Sequence, residues 1–102
     1  MTRREIGELR FEWDERKAAS NLRKHGIDFA DAALIFLDEH LLVEPSPVKN
    51  GEERFQAIGM AIGVVILFVA FTERTHDGKE STRIISARKA SAQEQRRYFA
   101  AL

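Results

Sequence analysis

Eight consecutive apolar residues, Val64-Val65-Ile66-Leu67-Phe68-Val69-Ala70-Phe71, constrain the fold of this chain more than any other stretch. A run rich in β-branched and aromatic side chains favours a strand. Because successive side chains of a strand point to opposite faces, a run apolar at both parities needs cover on both sides. It therefore predicts a strand from Val64 to Thr72 in the middle of a sheet, with packing over each face. As a helix it is too short to cross a bilayer, which takes about 20 apolar residues.

The periodicities around that strand give an order of elements. Leu9, Phe11 and Trp13 alternate with Arg10 and Glu12, the pattern of a half-buried strand. Asp14 offers an N-cap, Ala18, Ala19 and Leu22 form one stripe of a helix, and Gly26 can end it, with Lys24 and His25 in the last turn where cations suit the dipole. Asp28 opens a second helix, in which Phe29, Ala32, Ala33, Phe36 and Leu37 fall at i, i+3, i+4, i+7 and i+8. Leu41-Leu42-Val43 reads as a short strand before Pro45-Ser46-Pro47, and Lys49-Asn50-Gly51 as a turn or loop. Strands follow over Arg54 to Met60, Val64 to Thr72 and Thr82 to Ala87; the last two are joined through His76-Asp77-Gly78-Lys79, where Asp-Gly is a favoured hairpin pair. Ser91-Ala92-Gln93-Glu94 is a capping box opening a last helix. The expectation is an α+β fold, two N-terminal helices and a C-terminal helix packed on a mainly antiparallel sheet, in one domain spanning residues 1–102.

Composition removes several chemistries. There is no cysteine, which excludes a disulfide framework, a thiolate nucleophile and a thiolate zinc site. Met1-Thr2-Arg3-Arg4-Glu5-Ile6-Gly7 is charged and no apolar segment follows it, so no signal peptide is visible and a soluble cytoplasmic protein without membrane contact is expected. Sixteen Lys and Arg balance sixteen Asp and Glu. They are unevenly placed: seven cations against five anions in residues 1–27, one against seven in 28–53, three against three in 54–82, and five against one in 83–102. Such blocks suit one face to phosphate or an acidic partner and another to a basic one. In a chain of zero formal net charge, an anion is met by placed charges and not by a general field. Arg83-Ile84-Ile85-Ser86-Ala87-Arg88-Lys89-Ala90 is where three such cations lie along an apolar strand.

Trp13-Asp14 with Lys17, Asn21-Leu22-Arg23-Lys24-His25-Gly26-Ile27 with Phe29 and Ala32-Ala33, Glu53-Arg54 with Ile58-Gly59, and Arg83 to Ala90 with Tyr98 form an ordered set running from about residue 11 to residue 99. The set resembles the BrnT toxin family. The resemblance implies a RelE-like ribonuclease fold, a bacterial cytoplasmic setting and growth inhibition by RNA cleavage. It also implies neutralisation by a BrnA-type antitoxin carrying a ribbon-helix-helix part, in a heterotetramer of two toxins and two antitoxins, with DNA bound only through the antitoxin. Residues 1–8 stand outside the resemblance and are expected as a flexible extension.

RNA cleavage without a metal needs a base for the ribose 2′-hydroxyl, cations to stabilise the phosphorane and an acid for the leaving oxygen. No His, Asp and Glu cluster at metal-ligand spacing, so no metal or other cofactor is expected. Arg83, Arg88 and Arg54 are candidates for phosphate contact because a guanidinium fork matches two phosphate oxygens; Lys89 and Arg74 are further substrate contacts. Lys24, His25 and Glu73 are candidates for proton transfer or its support. Each has a plainer reading. Lys24 and His25 suit any helix C-terminus. Glu53 and Arg54, adjacent on a strand, point to opposite faces unless a bulge intervenes. Ser86 and Arg88 share a face that Arg83 joins only if the strand bends. Trp13 reads as core, Tyr98 as core with a solvated hydroxyl, His40 and His76 as turn neighbours without a visible partner, and Glu94 as part of the capping box. Two functions fit: a ribonuclease toxin, or an inactive interaction module that binds an antitoxin in transcriptional autoregulation.

Overall fold

The computed structural model describes residues 1–61 and 63–102. In chain order it contains β1 (Thr2–Ile6), β2 (Leu9–Trp13), α1 (Glu15–His25), α2 (Phe29–Ala32), a 3₁₀ turn (Ala33–Leu37), β3 (Leu42–Lys49), β4 (Glu52–Ala61), β5 (Val65–His76), β6 (Lys79–Lys89) and α3 (Ala92–Ala100). The described strands form one six-stranded sheet in the order β1-β2-β6-β5-β4-β3. Neighbours are antiparallel except β2 and β6, which run parallel through the pairs Phe11 with Thr82 and Glu12 with Arg83.

The apolar run lies where its composition requires, on β5 between β4 and β6. On one face Leu67, Val69 and Phe71 join Phe11, Trp13, Ala57, Ile84 and Ala87 beneath Phe29, Ala32, Ala33 and Ile35 of the second helical segment. On the other, Ile66 and Phe68 meet Ile58, Ala90 and Tyr98, so α3 supplies the cover. Val64 is excluded: it sits in a turn with positive φ and is exposed, and the strand starts at Val65. Asp77 and Gly78, both with positive φ, close the hairpin between β5 and β6, the backbone that a two-residue turn of this hand needs.

Three expectations change. Residues 1–8 are not a loose extension; β1 pairs with β2 from Thr2 opposite Trp13 to Ile6 opposite Leu9. β3 does not stop at Pro45 but runs through Pro45 and Pro47. It can do so because it is the sheet edge, where a missing N–H leaves no inward ladder position unpaired. The second helix is one α turn followed by a 3₁₀ turn. With three residues per turn, Ile35 joins Phe29, Ala32 and Ala33 in the core, Phe36 packs beside them, and Leu37, expected on the stripe, is exposed. Gly59 explains the tightening: a Cβ there would stand 2.8 Å from Leu41 Cδ1 and 3.0 Å from Ile35 Cβ. The turn sits directly on the β4 backbone.

α1 keeps the ends that its sequence encodes. Asp14 accepts hydrogen bonds from the Arg16 and Lys17 N–H groups, and Gly26 closes the helix in the left-handed conformation. Its anchor to the sheet is Asn21, which is buried. Asn21 Oδ1 accepts from the Ala87 N–H at 3.0 Å and Nδ2 donates to the Ala87 carbonyl at 2.7 Å. β6 has lost β2 by this point, since their pairing ends at Arg83. One side-chain amide thus takes the place of a neighbouring strand.

Candidate functional site

The face of the sheet opposite α1 and α2 is covered by α3 only at one end, and the rest carries charge. The parity that separates Arg83 from Arg88 in a regular strand is broken in β6. Ala70 pairs with Ser86 while its neighbour Phe71 pairs with Ile84, which leaves Ile85 as a bulge residue. Arg88 therefore lies opposite Phe68, Ser86 opposite Ala70 and Arg83 opposite Thr72, all on one face. Arg74 follows at the next same-face position, opposite Ser81. On β4, Gln56 lies opposite Ala70, and Arg54 falls two residues before it on the same face, level with Ser46 of β3. The face thus has a floor of small residues, Ala70 and Ser86. Arg88 stands at one end, Arg54 and Arg83 about 13 Å away along β5 and Arg74 about 20 Å away.

Each guanidinium is held by a carboxylate. Arg74 Nη2 donates to Glu52 Oε2 at 2.6 Å, and Arg54 Nε lies 3.6 Å from Glu52 Oε1. One carboxylate serves two guanidiniums, and the Nε atoms of both arginines are shut off from solvent without an acceptor. Such donors carry a desolvation penalty until an acceptor arrives. Arg88 makes a two-pronged pair with Glu94, 2.7 and 2.9 Å, and its guanidinium lies 4.2 Å from the centre of the Phe68 ring. The Glu94 hydrogen bond raises Arg88 above its ordinary pKa against a smaller opposing effect of burial, and the same bond holds Glu94 low. Arg97 of α3 pairs with Glu44 of β3.

Beside this row, Glu12 of β2 is fully buried. Its Oε1 is 2.7 Å from His76 Nε2, and its Oε2 accepts from Arg83 Nε at 3.2 Å. Burial pushes the Glu12 carboxyl up; the hydrogen bond and charge of His76, with Arg83, outweigh it and hold the group below the usual carboxylate value. His76, which the sequence leaves without a partner, is thus oriented by a buried carboxylate while its side chain stays 46% exposed. Glu94, assigned only to a cap, does that and also grips Arg88. Strand alternation could have matched Glu12 with Arg83, since both flank core residues, but their pairing depends on a parallel contact between distant strands.

Other candidates lie elsewhere. Lys24 and His25 are exposed at the end of α1, on the opposite side of the sheet. Glu73 follows Phe71 on that same side and is exposed, and Lys89, opposite Leu67, lines a cavity of about 300 Å³ with Gly26 and Ile27. Neither strand can turn Glu73 or Lys89 toward Arg83 without exposing its core residues, and Lys24 and His25 are fixed on α1 across the sheet. Trp13 is core, as its position suggests. Tyr98 is buried too, but its hydroxyl is not solvated: it donates to Asp38 Oδ2 at 2.5 Å. Burial and that bond push the tyrosine up to about 12. Among the described residues no three His, Asp or Glu side chains gather as a metal site needs, and no helix is long and apolar enough to cross a membrane.

An α+β chain with this face matches, over residues 13–94, a family of ribonuclease toxins of type II toxin–antitoxin systems. The chain belongs to the BrnT family. Its structure is similar to the 1.1 Å crystal structure of the Brucella abortus ribonuclease toxin BrnT, with 35% sequence identity and a TM-score of 0.54 over 79% of this chain and 95% of that one. No curated protein matches the chain. A type II system implies an antitoxin partner.

Proposed function

We propose that this chain is an endoribonuclease of RelE-like fold that cuts RNA without a metal on its open sheet face. The observation that carries the reading is the bulge at Ile85, which gathers Arg83 and Arg88 on the face that also bears Arg54 and Arg74. A scissile phosphodiester beside Arg83, which shares Glu12 with His76, meets the guanidiniums of Arg83 and Arg74, and Arg88 takes a phosphate further along the strand. Forked donors placed in advance stabilise the charge that grows on the phosphorane. His76, bound through Nε2 to Glu12, leaves Nδ1 to take the 2′-hydroxyl proton. The 2′-oxygen then attacks phosphorus, the bond from phosphorus to the 5′-oxygen breaks, and solvent protonates the leaving oxygen. The products are a 2′,3′-cyclic phosphate and a 5′-hydroxyl. Lys24, His25, Glu73 and Lys89 have no part in this scheme.

A BrnA-type antitoxin, acting in the bacterial cytoplasm as two copies with two toxins, neutralises the enzyme by laying acidic groups over the arginines, and its ribbon-helix-helix part alone contacts DNA. Opposite charge also speeds such an association. The test is cleavage of RNA by the purified chain with and without EDTA. Cutting should persist in EDTA, stop when the scissile nucleotide lacks its 2′-hydroxyl, and fall about 10²–10³-fold in Arg83→Ala. Loss of cutting in EDTA, restored by magnesium, would defeat the metal-free scheme. The second reading, an inactive module, draws on the fact that these arginines already hold carboxylates; a wild-type chain that neither cuts RNA nor slows growth yet still binds its antitoxin favours it.

A further inference from the structure

Past Arg83 the sheet opens into a cleft of about 460 Å³ between the β1–β2 hairpin and the β5–β6 hairpin. β2 and β6 pair only at Phe11 with Thr82 and Glu12 with Arg83, so the two hairpins part beyond that point. The cleft walls carry Arg3, Arg4, Arg10 and Lys79, with Glu12 and His76 on the side toward the arginine face. Two of its three acids are engaged, and the third, Asp77, is exposed in the hairpin turn. Glu12 is held by His76 and Arg83, and Glu5 lies 3.5 Å from Arg10 Nε. Arg3, Arg4 and Lys79 are different: among the described residues none of them pairs with a carboxylate, in contrast to Arg54, Arg74, Arg83, Arg88 and Arg97. Two of these three sit on β1, which lies before the residues that match the family, 13–94.

The geometry points to this cleft as a second phosphate-binding subsite for single-stranded RNA, built by the N-terminal hairpin that the family match leaves out. The proposal rests on the arginine face being the cleavage site. An anion is favoured because Arg3, opposite Glu12 on the cleft face, and Lys79, opposite His76, line the concavity without a carboxylate partner, while Arg4, over the Trp13 ring, borders it. RNA is favoured over an acidic protein because the cleft continues the arginine row without a break: Glu12 is shared by His76 and Arg83, and Met1 Sδ lies 2.9 Å from Arg83 Nη2. A strand whose scissile phosphate lies near Arg83 would pass its next nucleotides between the hairpins. The volume also falls within the range of a nucleotide-sized ligand, about 300–1,000 Å³.

The experiment compares the wild-type chain with Arg3→Ser/Arg4→Ser/Lys79→Ser, all surface changes, and with Arg3→Glu alone as a check that does not disturb the Arg4 contact with Trp13. Binding of a non-cleavable 2′-O-methyl RNA 12-mer is measured across salt concentrations, together with cleavage of a dinucleotide that reaches His76 at the mouth of the cleft but is too short to extend along it to Arg3. The triple variant should bind the 12-mer about tenfold or more weakly, and its salt slope should flatten by about 2, three lost phosphate contacts at about 0.7 each. Dinucleotide cleavage should be unchanged. Equal 12-mer affinity and slope in wild type and both variants overturn the cleft while leaving the arginine face intact. A wild-type chain that neither binds nor cuts RNA overturns both. Antitoxin affinity that falls in the variants while RNA affinity holds also overturns the proposal, assigning the cleft to the protein partner.

Discussion

Replacing Asn21 with alanine tests how the sheet is held where β6 has no neighbour on its β2 side. The side chain is 6% exposed and makes three hydrogen bonds, to the Ala87 N–H, the Ala87 carbonyl and the Ile27 carbonyl. Alanine leaves both backbone groups of Ala87 buried without partners, since the space is too enclosed for a strand to form there. Each such group costs about 1–3 kcal/mol, so the two together amount to about 3 kcal/mol. For a domain near this size 1 kcal/mol moves Tm by about 4–8 °C, which gives a fall of at least ~12 °C by circular dichroism. Asn21→Asp sharpens the test. It keeps an acceptor for the Ala87 N–H but loses the donor and sets a carboxylate against carbonyl oxygens. The carboxyl pKa in that variant must be raised by folding, so its deficit relative to wild type should shrink as pH falls and the group protonates. A loss below about 4 °C for the alanine variant, or a deficit in the aspartate variant that ignores pH, would show that Asn21 does not stand in for a strand.

Tyr98 is the sole tyrosine, and burial and Asp38 hold it at about 12, above its ordinary value of 10.0. Its contribution is therefore full below pH 10 and lost as pH rises toward 12; ultraviolet absorbance should show ionisation coinciding with unfolding, and Tyr98→Phe should flatten that alkaline limb at a cost of about 1–2 kcal/mol at neutral pH. Glu12 works in the opposite direction. Its carboxyl lies below the usual value, so the stabilisation is present above the unfolded-state pKa and disappears as pH falls through the lowered one; Glu12→Gln should lose part of the acid limb in denaturant titrations, and an unchanged limb would contradict the ion-pair account. Gly59→Ala should destabilise by about 1–3 kcal/mol, because the added Cβ meets Ile35 Cβ at 3.0 Å and the Ile35 carbonyl oxygen at 3.3 Å. A Tm equal to wild type would mean that the 3₁₀ turn can shift.

Local patterns carried much of the fold because they depend on residues a turn apart. Asp14 and Gly26 mark the ends of α1, the Ser91 capping box opens α3, and the apolar parity of β5 demands cover on both faces; in each case the deciding interaction is short-range or a matter of composition. The second helix is less legible for the opposite reason. Its spacing fits an α-helix, and the feature the spacing does not show is that Ile35 packs directly on the β4 backbone at Gly59, more than twenty residues later, where a Cβ would be crowded. β1 was missed because an edge ribbon with alternating charge buries little, so it leaves almost no hydrophobic signature.

The face that bears the arginines depends on a single unmatched residue. Without the bulge at Ile85, strict alternation would send Arg83 toward the core under α1 and α2 while Arg88 kept its place over Phe68. Sequence can name both arginines and can state that a bend would unite them, but no local signal in Arg83 to Ala90 says where the bend falls. It is set by two anchors far apart in the chain: Asn21 fixes Ala87 on one side, and Glu12 fixes Arg83 on the other. Between them β6 has one residue more than β5 requires, and Ile85 absorbs it. The positions of the charges thus follow from two buried polar contacts, Asn21 with Ala87 and Glu12 with Arg83, which set the side of the sheet on which the arginines stand.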